Sequence, residues 1–376
     1  MRAIYWFKRD LRLNDNRALN FAVERFSEVI PIFIFDRDIL DELNSYDSRL
    51  KFIIEAIKNL KIKVYCFDGK TTEVLDRLVD IVKPQAIVTQ KAYTWSGTKR
   101  VEGVKDLCKL KNIDFYEVND GFISNIEKIP FKKVFTYFYK EWLKAIDNVE
   151  TKALTFKIPN LNLSTLRDIR FKISNQEFFK PKECFSRIKN YQFENYENNR
   201  SRLDIDGTTK LSPCIRFGII SVRQIYNLVY KRSEQFIKEL AWREFWYHLK
   251  HNYPEMNTLE FQEKRRGIRW ENDMKLYNAF KEAKTGYPLI DAGIRQLITE
   301  KWMHNRMRMI AANFLTKILL MDWRIGESFF KSHLIDYDEV VNVGNWQWNA
   351  SVGPDPKPFR IFNPILQARK FDPECK

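Results

Sequence analysis

Apolar and polar residues follow different rhythms in the two halves of the chain. Over the first 120 residues, short apolar runs at Ala3–Phe7, Val29–Phe35, Lys63–Phe67, Ala86–Thr89 and Asp114–Val118 alternate with stretches whose apolar positions recur every three or four residues. Short, largely continuous apolar runs are the pattern of strands buried on both faces, and the amphipathic stretches between them supply the covering helices. The rhythm predicts an α/β domain over 1–120 built on a parallel five-stranded sheet.

From 121 to 180 the pattern loosens into Lys, Asn and Ser among isolated aromatics, an interdomain connection with one helix near Phe135–Ile146. No strand rhythm returns over 181–376. Helical periodicity marks Ser221–Val229, Glu234–Tyr253, Met274–Ala283, Leu289–Leu297, Met303–Leu320 and Trp323–Leu334, so this part is expected to be an all-α domain. A short helix is also expected between Asp47 and Leu60.

The chain has 376 residues, 44% of them apolar, enough for two cores. Runs such as Val29–Phe35 and Met309–Met321 are too short or too interrupted to span a bilayer. Met1 opens strand-like sequence rather than a signal peptide, so the chain reads as intracellular, in the cytoplasm or on the nucleoid, without membrane contact; a monomer is expected. The five cysteines lack any CxxC spacing and read as reduced thiols, without a disulfide framework, zinc site or iron–sulfur cluster. A net charge of +15 suits a polyanionic partner, although a bias toward Lys, Asn and Ile produces the same charge.

Candidate chemistry lies mostly in the helical part. Asp336 to Trp348 mixes carboxylates, amides and two indoles. Burying so many polar groups costs free energy unless each finds a partner, and a polar, aromatic ligand such as a flavin ring would supply them. Gly207-Thr208-Thr209-Lys210-Leu211-Ser212-Pro213 combines a flexible turn, hydroxyls and a cation at a helix start. It reads as a plain helix cap, or as a phosphate seat. In Trp302–Met309, helical spacing puts Asn305, Arg308 and Met309 on one face, either as core at a domain surface or as a binding face with Arg308 paired to Asp336 or Asp338. Glu239 stands three residues before Trp242, usually an amphipathic core pattern. His248 and His251 complete no metal motif and read as structural or surface residues.

Together these segments resemble the DNA photolyase/cryptochrome family, most closely its class I cyclobutane-dimer branch. Trp6-Phe7-Lys8-Arg9-Asp10-Leu11-Arg12-Leu13-Asn14-Asp15-Asn16 is similar to the family's opening strand and loop, and Gly207–Ser212 to its flavin phosphate loop. Lys284–Asp291 resembles its helix-entry motif. Trp302–Met309, Met321–Glu327 and Gly344–Trp348 follow at the family's spacing, so the resemblance spans essentially the whole chain.

The resemblance implies a Rossmann-like antenna domain and an all-α FAD-binding domain. Tyr196, Thr208, Thr209, Lys210, Leu211, Ser212 and Phe236 would hold the phosphates and adenosine side of FAD, with Asp336 and Asp338 at the ring system and Arg308 paired to Asp336. Asn342 would face flavin N5, where a neutral amide suits a reduced flavin. Trp346, Trp323 and Trp270 match the family's electron relay. Glu239, Trp242, Asn305, Arg306, Met309 and Trp348 would line the lesion pocket, and Arg200, Arg360 and Gln367 would contact the DNA backbone. The implied activity is light-driven repair of cyclobutane pyrimidine dimers in double-stranded DNA; the alternative is a blue-light photoreceptor that signals through a protein partner.

Asn305 stands where enzymes for (6-4) photoproducts carry His, and Trp348 where single-strand-preferring members carry Tyr, both favouring dimers in duplex DNA. Thr98 and Lys99 replace the amide and carboxylate of folate-binding members, leaving a deazaflavin, a second flavin or no antenna. Relatives continue through further helical segments beyond Phe371-Asp372-Pro373, so the resemblance implies a shortened tail.

Overall fold

The computed structural model describes residues 1–40, 48–146, 156–171, 179–354 and 357–374. The chain forms two compact units. The first comprises Met1–Asn125, Asp147–Lys189 and Leu211–Asn227, the second Ile126–Ile146, Asn190–Lys210 and Leu228–Lys376.

In the first unit β1 (Arg2–Phe7), α1 (Arg17–Arg25), β2 (Glu28–Asp36), α2 (Ser48–Asn59), β3 (Tyr65–Gly69), α3 (Thr71–Val82), β4 (Ala86–Gln90), α4 (Trp95–Lys111) and β5 (Asp114–Val118) alternate along the chain. The strands form one parallel sheet in the order β3-β2-β1-β4-β5. Ile4, Ile30 and Ile87 stand side by side across its centre. They pack with Leu75, Leu78 and Val82 of α3 and with Val101 and Val104 of α4. β3 begins two residues later than the apolar run suggests and continues to Gly69 opposite Asp36, while exposed Lys63 donates to Asn160.

A buried charge network secures the loop after β1. Fully buried Arg223 pairs with Asp15 (3.0 Å) and Asp120 (2.7 Å), and Arg12 also pairs with Asp120. Burial pushes the Asp120 carboxyl up, but Arg12 and Arg223 outweigh it and hold it below its usual range.

The cysteine expectation is overturned at one pair. Cys184 on α6 (Glu183–Asn190) and Cys214 on α7 (Ser212–Arg216) form a disulfide with a Cα–Cα distance of 5.9 Å. Their separation of 30 residues matches no motif, and only the packing of the two short helices brings them together. Cys66 and Cys108 are buried free thiols, and Cys375 lies outside the described residues.

The later helices are α8 (Val222–Val229), α9 (Glu234–Asn252), α10 (Met274–Lys281), α11 (Pro288–Glu300), α12 (Asn305–Asn313), α13 (Trp323–His333), α14 (Glu339–Asn349) and α15 (Pro364–Phe371). The helix expected at Met303–Leu320 starts at Asn305 because His304 caps it, and it loosens into a π turn over Phe314–Ile318. α14 escaped the periodicity argument: two adjacent valines, a glycine and three asparagines are poor helix formers. Asp338 caps its start, accepting from Val340 N and Val341 N. Gly344 lets it approach α9, since a Cβ there would lie 2.4 Å from the Trp246 ring.

Candidate functional site

The second unit concentrates polar side chains around the start of α14. Buried Asp336 pairs with Arg308 at 2.8 Å through Oδ2, whereas its buried Oδ1 has no partner among the described residues. Asp338, besides capping α14, accepts the Tyr247 hydroxyl at 2.7 Å. Asn342, one turn into the helix, donates its amide to Glu327 Oε1 at 3.0 Å, and Tyr337 donates to the same oxygen at 2.9 Å. Burial pushes the Glu327 carboxyl up, against the two donated hydrogen bonds. Because the Asn342 NH2 is engaged, its Oδ1 is the end that can accept from a ligand.

On the candidate phosphate side, buried Tyr196 and Phe236 meet edge to face at 4.9 Å. Tyr191 holds the Gly207 carbonyl at 2.7 Å. Thr209 is buried, and the buried Thr208 Oγ1 has no partner among the described residues. Lys210 takes a left-handed φ of 50°, pairs with Asp206 at 3.1 Å and lies 5.3 Å from the Trp302 ring. Leu211 precedes α7 and exposed Ser212 opens it; at five residues that helix carries only a weak dipole.

His304 was not singled out in the sequence, yet it sits at the centre of this region. Its Nδ1 accepts the Arg306 N–H at 3.1 Å, so Nε2 carries the proton of the neutral ring. That buried Nε2 has no partner among the described residues, nor has Arg306 Nε. Burial and the cations of Arg306, Arg308, Arg200 and Lys210 push the imidazole down to about 4. A neutral N–H donor among four cations is matched to an anionic or carbonyl ligand. With Thr208 Oγ1 and Asp336 Oδ1, it gives the site unfilled donors and acceptors that fit both the phosphates and the ring edge of a flavin dinucleotide.

The candidate lesion side adjoins these residues along α9 and α12. Glu239 pairs with Arg200 at 2.6 Å and accepts from Gln235 at 2.8 Å, so Arg200, expected at the DNA backbone, is held by a carboxylate. Burial raises the Glu239 carboxyl despite Arg200. Half-buried Trp242 stacks on Phe135, with ring centroids 3.8 Å apart and planes 5° off parallel. Asn305 is exposed beside Met309, and Arg306 reaches Ser201 at 3.0 Å. The Arg360 guanidinium lies 4.7 Å from the half-buried Trp348 ring, and Gln367 is half-buried on α15.

Among the three candidate relay indoles, Trp346 and Trp323 are buried at 2% and 1% exposure and Trp270 is half-buried. Trp346 lies against Gly326 of α13, where a Cβ would come within 2.3 Å of its ring. Trp323 stands three residues earlier on that helix. Hydrogen bonds from Glu271 N to Leu320 O (2.9 Å) and from Asp322 N to Asn272 Oδ1 (2.8 Å) bring the segment after Trp270 beside the same helix start. Among the described residues there is no cluster of metal-ligating groups, and no helix is long and apolar enough to cross a membrane.

Sequence reasoning missed Glu327 and Phe135 as well as His304. Nothing in the sequence pairs Glu327 with Asn342, since two helices must pack before they meet.

A parallel α/β unit and a helical unit whose buried donors and acceptors suit a flavin dinucleotide define a two-part flavoprotein. The DNA photolyase family matches residues 3–157, and the FAD binding domain of DNA photolyase matches residues 236–376. The deoxyribodipyrimidine photo-lyase of Alkalihalophilus pseudofirmus is 34% identical over 98% of this chain and 84% of its own. A crystal structure of an archaeal photolyase from Sulfolobus tokodaii, described with two FAD molecules, superposes with a TM-score of 0.91 at 32% identity, covering all of this chain and 88% of that one. A Synechocystis cryptochrome shares the fold with a TM-score of 0.89 at 24% identity over 99% of this chain and 86% of its own. The chain belongs to the DNA photolyase family.

Proposed function

We propose that the protein is a deoxyribodipyrimidine photolyase that repairs cyclobutane pyrimidine dimers in double-stranded DNA, as a monomer in the cytoplasm or on the nucleoid. The observation that carries this reading is that Thr208, His304 and Asp336 of the second unit each hold a buried polar atom lacking a partner among the described residues, together with the oriented amide of Asn342. Its relatives' names and the basic charge support a damaged-DNA partner.

When bound and reduced, FAD would supply light-driven donation of one electron to the dimer, the electron returning once the ring has opened. The chain's residues bind and orient. Arg308 keeps Asp336 charged, so that its open oxygen can accept a hydrogen bond from the ring edge. Glu327 fixes the Asn342 amide with its carbonyl outward, an acceptor for a protonated N5. His304 and Thr208 donate to phosphate oxygens that Lys210 attracts. Trp242 and Trp348 offer ring faces to a base pair already weakened by damage, which lowers the cost of extrusion. Glu239, whose carboxyl burial pushes up, would in its protonated form donate to the extruded dimer and offset negative charge that develops on it. Trp270, Trp323 and Trp346 would carry electrons inward from the surface. A second flavin in the first unit is the antenna that the two-FAD relative favours.

The test is to offer purified, FAD-loaded, reduced protein duplexes carrying one cyclobutane dimer, one (6-4) product or no lesion. Selective retention of the dimer duplex is expected. Equal retention of all three would overturn the assignment of substrate.

A further inference from the structure

The indole of Trp242 has one face covered from within the protein. Phe135, the first residue of α5 (Phe135–Lys144), lies parallel to it at 3.8 Å and 5°. The Phe245 ring closes an edge at 5.4 Å and 86°, and Trp246 tilts against it at 5.7 Å. Phe135 is itself anchored on both sides. Three residues before it, Lys132 N donates to His248 at 3.1 Å; three after it, Phe138 packs on Phe245 and His248. Seven after it, Trp142 Nε1 donates to Glu244 Oε2 at 2.7 Å, both side chains being fully buried. These contacts repeat at helical spacing and fasten one face of α5 to α9, which carries Trp242.

A buried hydrogen bond and packed rings on either side leave Phe135 little freedom, so its ring is a fixed shelf. A half-buried indole without such a shelf would sample several rotamers and would lose them on stacking against a ligand, a cost that lowers affinity. With the shelf in place the ordering occurs on folding. We propose that Phe135 is a positioning residue for lesion recognition, holding the Trp242 indole so that an extruded damaged base completes a three-ring stack. This rests on the reading of Trp242 as a lesion-stacking residue.

The experiment measures the affinity of the FAD-loaded protein for a dimer-containing duplex and for the undamaged duplex, alongside flavin content and melting temperature. Trp242→Ala serves as the control, with Phe135→Leu, Phe135→Met and Phe135→Tyr as the variants. Leu and Met fill volume without a ring, and each is expected to weaken dimer binding by about three- to tenfold, the scale of one stacked aromatic pair, with undamaged DNA binding unchanged. Tyr restores the ring and is expected to restore affinity. If Trp242→Ala weakens dimer binding while Leu and Met do not, the shelf is disproved and the lesion pocket stands. If affinity for both duplexes falls together with flavin content, Phe135 is structural only and the proposal is wrong. If Trp242→Ala itself leaves dimer affinity unchanged, the reading of the pocket fails, and the proposal with it.

Discussion

Asn342 donates its side-chain amide to Glu327 Oε1 at 3.0 Å, and under the proposed function this contact decides which end of the amide a bound flavin would meet. Without it the amide can turn its NH2 toward N5, where a protonated N5 finds no acceptor. Glu327→Ala is predicted to lower the midpoint potential of bound FAD by about 20–30 mV, the equivalent of one modest hydrogen bond on a two-electron couple. Spectroelectrochemical titration measures it, and an unchanged potential would remove Glu327 from this role.

Two buried imidazoles set an acid limit on stability. Burial is the main cause that pushes His248 and His304 from the ordinary 6.5 to about 4. Between those values the unfolded chain binds protons that the folded one does not, so stability falls as pH drops from 6.5 toward 4 and levels off below. Each group contributes on the order of 3 kcal/mol to that decline. Melting curves across this range should slope steeply in the wild type and less steeply in His248→Gln.

Trp270 is the half-buried end of the proposed relay, and Trp270→Phe would break the relay there. Photoreduction of oxidised flavin is predicted to slow severely, while repair by chemically prereduced protein stays close to wild type. Transient absorption and a repair assay on the same preparation separate the two. Loss of repair in the prereduced sample would contradict the relay assignment.

The Cys184–Cys214 disulfide closes a loop of 30 residues that includes Tyr196, Arg200 and the Thr208–Ser212 segment. Constraint of the unfolded chain by such a loop is worth about 3–4 kcal/mol. Replacing both cysteines with serine is predicted to lower the melting temperature and to weaken FAD retention. Thiol counting in denaturant without reductant checks the bond directly.

Much of the fold was legible because buried parallel strands and amphipathic helices leave opposite periodicities in sequence. The five apolar runs became β1 to β5, and most of the periodic stretches became helices. α14 was not legible as a helix, since its conformation depends on the Asp338 cap and on the close fit of Gly344 against Trp246 rather than on propensity. The same limit applies to chemistry. Asp336, Asn342 and Arg308 stood out by residue type and motif. Glu327, His304 and Phe135 acquire meaning only through partners far away in sequence, as did the paired cysteines.

Light-dependent dimer loss, followed in one anaerobic sample of FAD-loaded, reduced protein mixed with dimer-containing duplex, tests the central claim most directly. The account predicts no loss in the dark and loss under blue light, many dimers per protein, with no reductant consumed. Intact dimers after illumination, with flavin and duplex both demonstrably bound, would contradict it.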